Sequence, residues 1–211
     1  RSELEALRRR GITPEAIRKF VLSLGFTKAD TLAPFDTLES LNRKIIDPDS
    51  IRLHMVKNPA KIRVFGAPHA ITLPNHPTKD IGTRQITLDE DLYAEHEDIK
   101  NLRVGDELRL MGLGNVQITK AEPLEGNYTG DELKAQIPKE QWVAQKDAQK
   151  IKILVPSPLF NREKFNEKSL EEIDVFVEPY YSQLKEGKEI QFVRFGYCRK
   201  DSVLQAIYTH K

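Results

Sequence analysis

Residues 51–74, IRLHMVKNPAKIRVFGAPHAITLP, contain three short apolar segments separated by turn residues. Within each segment, β-branched or other apolar residues alternate with polar ones, which is the period of a strand buried on one side. Proline, glycine and asparagine lie between the segments and typically end such strands. Seven more segments of this kind follow: RQITL (84–88), DELRLMG (106–112), VQITKAE (116–122), KIKILVP (150–156), DVFVEP (174–179), IQFVRFGYC (190–198) and LQAIYTH (204–210).

About ten short strands over roughly 160 residues predict a mainly β protein built from barrels or sandwiches. The acidic run TLDEDLYAEHEDIK at 87–100 predicts a surface strand and a turn. The sequence GLGN at 112–115 is too short for a dinucleotide-binding fingerprint and does not precede a helix, so it predicts a hairpin turn.

The first 50 residues show helical spacing instead. Ser2 with Glu5 forms a capping box and Gly11 supplies a left-handed stop, so we expect a helix over residues 3–10. The last turn of this helix consists of three consecutive arginines, Arg8, Arg9 and Arg10.

Two further helices are expected before residue 50. Thr13 as N-cap, Pro14 at the first helical position and Gly25 as a stop predict the second. The third follows Asp36 and ends at Pro48, because proline lacks the amide proton that a continuing helix needs.

Composition restricts the class of protein. The chain has 211 residues, of which 39% are hydrophobic and 31% charged, with a net charge of +1, so any binding of nucleic acid must use local patches. No run reaches the ~20 apolar residues of a membrane span. Cys198 is the single cysteine, which excludes an internal disulfide and suits the cytoplasm. Because the sequence starts without methionine, we expect a fragment of a longer protein.

The sequence contains no recognisable catalytic motif. It has neither a phosphate-binding loop nor a nucleophile with a partnered base. His69 and His76, in HAITLPNH, are the pair that a turn could bring together as metal ligands, but ordinary surface histidines are the favoured alternative. We therefore expect neither catalytic nor metal-binding residues.

Arginine and lysine recur within the strand segments together with aromatic residues. This combination is typical of surfaces that bind single-stranded RNA. Strands with charged outer faces and aromatic inner faces show the same pattern, and composition alone favours that alternative. The aromatic residues concerned are Phe65, Phe192, Phe195 and Tyr197.

Four segments in order resemble one enzyme family over nearly the whole chain. They are LRRRGITPEAIRKFVLSLG (7–25), LESLNRKIIDP (38–48), TLPNHPTKDIGTRQI (72–86) and IQFVRFGYCRKDS (190–202). They resemble the C-terminal half of archaeal and eukaryotic-type glutamyl-tRNA synthetases and of the related glutaminyl-tRNA synthetases, both class I enzymes. NRKIIDP is more similar to the glutamyl branch.

The resemblance implies a fold and a division into domains. A helical stem-contact region would occupy residues 1–50. A proximal antiparallel β-barrel would take residues 51–95 and 153–211, with a distal barrel, residues 96–152, inserted in it.

The resemblance also implies residues that bind the anticodon of tRNA. Arg52 and Gln191 would contact the middle base and Arg109 the first. Asn101 stands where glutaminyl relatives carry an arginine that pairs with guanine at the third base. A shorter amide cannot make that bidentate contact, so the resemblance favours tRNA(Glu) with relaxed acceptance of tRNA(Gln). Two further candidate anticodon-binding residues are Lys100 and Arg194.

The three arginines of the first helix have two interpretations. Cations at a helix C-terminus complement its dipole, and Arg8, Arg9 and Arg10 would then cap the helix or pack between domains. On the resemblance, they would instead contact the tRNA stem.

The parent enzyme implied by the resemblance attaches glutamate to tRNA using ATP and Mg²⁺, through a catalytic domain of the same polypeptide. This piece lacks the catalytic motifs and would be inactive alone. Two alternatives stay open: the C-terminal region of a glutaminyl-tRNA synthetase, and a stand-alone ribosomal-type RNA-binding barrel.

Overall fold

The computed structural model describes residues 3–24, 35–156 and 170–211. Three helices come first: α1 (Glu3–Arg10), α2 (Pro14–Leu24) and α3 (Phe35–Ile46). Gly11 has a φ of 105°, and the amide of Ile12 donates to the carbonyl of Leu7 at 2.9 Å, which confirms the left-handed stop. The predicted cap at Ser2 and stop at Gly25 lie outside the described residues.

The second and third helices pack on each other, and Asn42 of α3 contacts His210 of the sheet that follows. The Thr13 hydroxyl accepts a hydrogen bond from the amide of Ala16 at 3.2 Å, as expected of an N-cap. Helix α3 begins one residue before Asp36 and is followed by a short 3₁₀ turn, Asp47–Asp49. None of the helices in the described ranges is long and apolar enough to cross a bilayer.

The described part of the chain beyond residue 50 is mainly β, as predicted. Its strands are β1 (Ile51–Leu53), β2 (Met55–Val56), β3 (Pro59–Phe65), β4 (Ala70–Pro74), β5 (Thr83–Thr87), β6 (Asp91–Glu95), β7 (Glu107–Leu110), β8 (Gly114–Ala121), β9 (Leu124–Gly130), β10 (Lys139–Glu140), β11 (Trp142–Ala144), β12 (Gln149–Val155), β13 (Glu171–Val177), β14 (Glu189–Phe192), β15 (Gly196–Ser202) and β16 (Gln205–His210). A single-turn helix, α4 (His96–Ile99), follows β6.

The first barrel consists of strands in the order β1-β14-β15-β16-β12-β13-β2. Only His54 separates β1 from β2, which pair with opposite ends of this order. The chain therefore closes the sheet on itself by changing partner at one residue. Its interior is apolar and includes Leu53, Ile153 and Phe192.

The second barrel has the order β10-β7-β8-β9-β3-β6-β11. Its two end strands, β10 and β11, are also consecutive in the chain, since only Gln141 separates them. The β4–β5 hairpin covers its core, with Ile86 and Leu88 among the buried residues. Because all of its strands lie between β2 and β12, the second barrel is inserted in the first, as the resemblance implied.

The sheets divide the chain at other residues than expected. Strands β3 and β6 fall within 51–95 but pair in the second barrel, and the first barrel resumes at Gln149, before residue 153. Alternation of apolar residues reports which face of a strand is buried but not which strand lies beside it. The run 87–100 forms β6 and then α4 where a turn was expected, and a tight turn joins β7 to β8 at GLGN, as predicted.

Candidate nucleic-acid interface

Two predicted base-contacting residues are neighbours on the first barrel. Strands β1 and β14 run parallel, and their register sets Arg52 opposite Gln191. On the other side, Gln191 lies opposite Tyr197 of β15. The flanking residues Ile51 and Ile190 point into the core, so this row of three lies on the outer face of the barrel.

An aspartate fixes the arginine of this row. Asp47 Oδ1 accepts hydrogen bonds from Arg52 Nη2 at 2.6 Å and from the Tyr197 hydroxyl at 2.5 Å. Arg52 Nη1 also donates to the carbonyl of Ser50 at 3.1 Å. Burial raises the pKa of the Asp47 carboxyl, but the hydrogen bonds from Tyr197 and Arg52 outweigh it and hold that pKa below its usual value. These bonds hold the guanidinium of Arg52, the strand neighbour of Gln191, in one orientation.

Arg109 lies on the second barrel. In β7 it pairs with Asn115 of β8 and Lys139 of β10. Its Nη1 donates to the side-chain oxygen of Asn115 and to the carbonyl of Asp131, each at 3.1 Å. These bonds hold the loop after β9 against the barrel and keep the arginine half-buried at the surface.

Arg194 connects the two barrels. It occupies the turn between β14 and β15 with a φ of 67°, the left-handed conformation that non-glycine residues seldom adopt. Its Nη1 lies 3.3 Å from Asp98 Oδ2, 3.0 Å from Glu140 Oε2 and 3.3 Å from the carbonyl of Lys139. All three partners belong to the second barrel or its helix α4.

Lys100 and Asn101 directly follow helix α4. Both are exposed, and Lys100 pairs with Glu97 at 2.5 Å. Since Arg194 contacts Asp98 two residues before Lys100, these side chains lie near the junction of the barrels.

Strand pairing and contacts connect predicted anticodon-binding residues of the two barrels. From the first barrel, Arg52 lies beside Gln191, and Arg194 is three residues further along the chain. Arg194 contacts Lys139, the strand neighbour of Arg109. We call this set of residues the strip: Arg52, Gln191, Arg194, Lys100, Asn101 and Arg109. Its members are far apart in sequence and come from both barrels.

The arginines of α1 are not part of this strip. Arg9 makes a bidentate pair with Asp201 of β15 at 3.0 and 2.9 Å. Arg10 is buried and donates to the carbonyl of Thr209 at 3.2 Å, whereas Arg8 is exposed. Two of the three arginines thus attach the helix to the first barrel.

Most of the candidate aromatic residues are unavailable for base stacking. Phe192 and Tyr197 are buried, and Phe195 packs edge-on against the ring of Tyr208. Phe65 is exposed, on β3. Phe192 therefore follows the alternating-strand interpretation, and the four aromatic residues do not together form a stacking platform.

His69 and His76, the two histidines that a turn could have brought together, make different contacts. His69 Nδ1 lies 3.3 Å from the carbonyl of Leu88, and His76 Nε2 lies 3.0 Å from that of Asp47, so the two rings have different hydrogen-bond partners. Within the described ranges, no group of histidine, cysteine, aspartate and glutamate side chains could hold a metal ion.

Sequence reasoning missed Asp98 and Glu140, the partners of Arg194. Asp98 lies in a long acidic run where nothing distinguishes it from its neighbours. Glu140 lies in a strand of two residues that has no periodic signal.

Comparison with known proteins adds a family to this geometry. A family model described as "tRNA synthetases class I (E and Q), anti-codon binding domain" matches residues 50–138, and a second model with the same description matches residues 139–201.

Curated relatives match the chain throughout. A glutamate-tRNA ligase of Nitrosopumilus maritimus is 58% identical over 99% of the chain and 37% of its own length. One of Cenarchaeum symbiosum is 50% identical over 98% of the chain and 37% of its own length, and one of Methanococcoides burtonii is 36% identical over 99% and 35%. The chain thus spans little more than a third of the length of these relatives.

Proposed function

Because the chain belongs to the class I tRNA synthetases for glutamate and glutamine and contains their anticodon-binding domain, we propose that it binds the anticodon loop of tRNA(Glu). The supporting observation is the register that sets Arg52 beside Gln191 on an outer face. A row of one fixed guanidinium and one amide supplies donors and an acceptor for an unpaired base.

The remaining strip residues extend this proposal to the neighbouring bases. Arg109 would contact the first base, and Asn101 the third, with Lys100 and Arg194 beside them. Since the net charge is only +1, this local strip and not an overall field must attract the RNA. In this proposal the three helices form the stem-contact region, the first barrel is the proximal barrel and the second barrel is the distal barrel.

The exposed amide of Asn101 supports a finer proposal, acceptance of tRNA(Gln). An amide lacks the bidentate fork with which arginine selects guanine, so the third base would be read with little stringency. The parent would be a glutamate-tRNA ligase of the cytoplasm that uses ATP and Mg²⁺ in a catalytic domain outside this chain. Arg8 would then face the tRNA stem or that domain.

Binding to short RNAs tests the proposal. Four anticodon stem-loops, with the glutamate, glutamine, aspartate and lysine anticodons, are titrated by fluorescence at two salt concentrations. We expect the glutamate and glutamine loops to bind similarly and more tightly than the other two. Equal weak binding of all four, at low salt only, would contradict base recognition.

A point variant links the result to the strip. Gln191→Ala should cost roughly 1 to 3 kcal/mol of binding free energy to the glutamate loop. Gln85→Ala, which removes an exposed glutamine from β5 of the hairpin, is the matched control and should change nothing.

A further inference from the structure

Arg194 contacts two carboxylates of the second barrel and its helix α4, those of Glu140 and Asp98. Its Nη1 is shared among Asp98, Glu140 and the carbonyl of Lys139 at 3.0 to 3.3 Å, and Nη2 reaches Asp98 again at 3.4 Å. One side of this cluster is open, because the Arg194 side chain is 48% exposed while Asp98 and Glu140 are 17% and 10% exposed.

These bonds are long for a charge-assisted pair. Guanidinium–carboxylate bonds are usually about 2.7 to 2.9 Å and often bidentate. The Arg9–Asp201 pair of this chain comes close to that geometry, at 3.0 and 2.9 Å. One nitrogen of Arg194 instead serves three acceptors, so the arginine is held loosely.

The cluster also carries more negative than positive charge. Two carboxyl groups, both largely buried at the junction, face one guanidinium, and the excess is negative when Glu140 is ionised. A phosphate that approaches Arg194 therefore meets its attraction and the repulsion of Asp98 and Glu140 together.

We propose that Asp98 and Glu140 are affinity-determining residues that compete with RNA for Arg194. The inference rests on the proposed function of the strip. A phosphate of the anticodon loop takes over the guanidinium, and the carboxylates lower the affinity that the strip would have without them.

The protonation of the cluster supports the same conclusion. Burial raises the pKa of the Glu140 carboxyl to about 7, and a hydrogen bond with Asp98 adds to the rise while Arg194 opposes it. The charged groups facing Glu140 are Asp98 of α4 and Arg194 of the β14–β15 turn. A larger fraction of Glu140 is therefore neutral at pH 6 than at pH 8, so RNA should bind more tightly at pH 6.

Charge-neutralising variants test the inference. Glu140→Gln and Asp98→Asn should each bind the glutamate stem-loop about threefold to tenfold more tightly than the unaltered chain, the size expected for one partly exposed like charge. Asp91→Asn is the matched control, since it removes a charge from the same barrel at a residue paired with Arg63 and not with Arg194. We expect this control to stay within about twofold.

The pH arm separates Glu140 from other titrating groups. The unaltered chain should bind more tightly at pH 6 than at pH 8, and Glu140→Gln should lose most of that difference. If Glu140→Gln does not give a folded circular dichroism spectrum, the RNA affinity of Asp98→Asn and the pH dependence of RNA binding by the unaltered chain test the inference instead.

The outcomes distinguish this inference from the proposed function. Absence of binding by the unaltered chain would overturn the proposed function and with it the inference. Binding by the unaltered chain, with equal or weaker binding by both neutralised variants, overturns only the competition for Arg194.

Discussion

Arg84 and Arg194 each pair with a carboxylate from another part of the molecule, but the two pairs differ in burial and in geometry. Arg84 of the hairpin pairs with Glu178, which follows β13 of the first barrel, and the side chains are 3% and 2% exposed. Arg194 faces Asp98 and Glu140 across the same junction with half its surface open to solvent. A buried pair can only fix the arrangement, whereas an exposed, loosely held arginine can also meet a ligand.

The buried contact is part of a larger polar cluster. Glu178 Oε2 also accepts the amide of His54 at 2.8 Å, at the residue where the first barrel closes. His54 Nδ1 donates to the carbonyl of Trp142 in the second barrel at 3.2 Å, and burial lowers the pKa of this histidine. Both barrels and the hairpin therefore meet at satisfied, buried groups.

Breaking the buried pair should have the largest effect. Arg84→Ala leaves the Glu178 carboxylate buried without its partner, which should cost about 3 to 5 kcal/mol of unfolding free energy. Urea denaturation measures the loss. Arg63→Ala, which removes an exposed arginine paired with Asp91, should leave the denaturation midpoint nearly unchanged because water screens such pairs, and equal losses would contradict the comparison.

A third buried contact, between α3 and the first barrel, makes stability depend on pH. Asn42 Nδ2 donates to His210 Nε2 at 2.9 Å, and burial lowers the pKa of His210 to about 4. The unfolded chain binds this proton at about pH 6.5, so the stabilisation is present above that pH and is lost as pH falls toward 4.

This loss should be on the order of 2 kcal/mol. Urea denaturation at pH 7 and pH 4.5 measures it, and His210→Gln should show a shallower dependence than the unaltered chain. The buried His54 also lowers the unfolding free energy as pH falls, and it does so in the unaltered chain and in His210→Gln alike. Identical slopes for the two would refute the contribution of His210.

Removing the exposed arginine should separate stability from binding. Arg194→Ala should weaken binding of the glutamate stem-loop by about 1 to 2 kcal/mol and reduce its salt dependence, because a phosphate partner is lost. Its unfolding free energy should fall by less than that of Arg84→Ala, because the Arg194 side chain is half exposed whereas that of Arg84 is buried. A large stability loss with unchanged RNA affinity would mean that Arg194 acts like Arg84.

The smallest effect is expected at α1. Arg9→Ala breaks an exposed pair with Asp201 and should cost less than about 1 kcal/mol of unfolding free energy. Comparing Arg9→Ala with Arg8→Ala for binding of whole tRNA and of the stem-loop tests the stem-contact interpretation. A loss for Arg8→Ala with whole tRNA only would place Arg8 at the stem.

Local signals predicted the elements with a local cause. Thr13 and Gly11 act at helix ends through their own backbone neighbourhood. Eight of the ten apolar segments formed single strands, whereas IRLHMV and IQFVRFGYC each contain residues of two strands. Strand β9, LEGNYTG, contains two glycines and little alternation, and β10 and β11 are two and three residues long. Such strands are specified by their partners and give no periodic signal.

The candidate site divides in the same way. Arg52 and Gln191 were expected from the resemblance, but their adjacency depends on a parallel register between distant strands. The pairing of Arg194 with Glu140 depends on how two barrels meet, which no pattern of apolar residues encodes.

Amide hydrogen exchange on the chain with and without the glutamate stem-loop tests the central claim most directly, since the claim is that one RNA loop contacts both barrels. We expect slower exchange in residues 98–101 and 107–110 of the second barrel and in residues 189–194 of the first. Slower exchange confined to one barrel, or none at saturating RNA, would contradict a single strip that reads the anticodon.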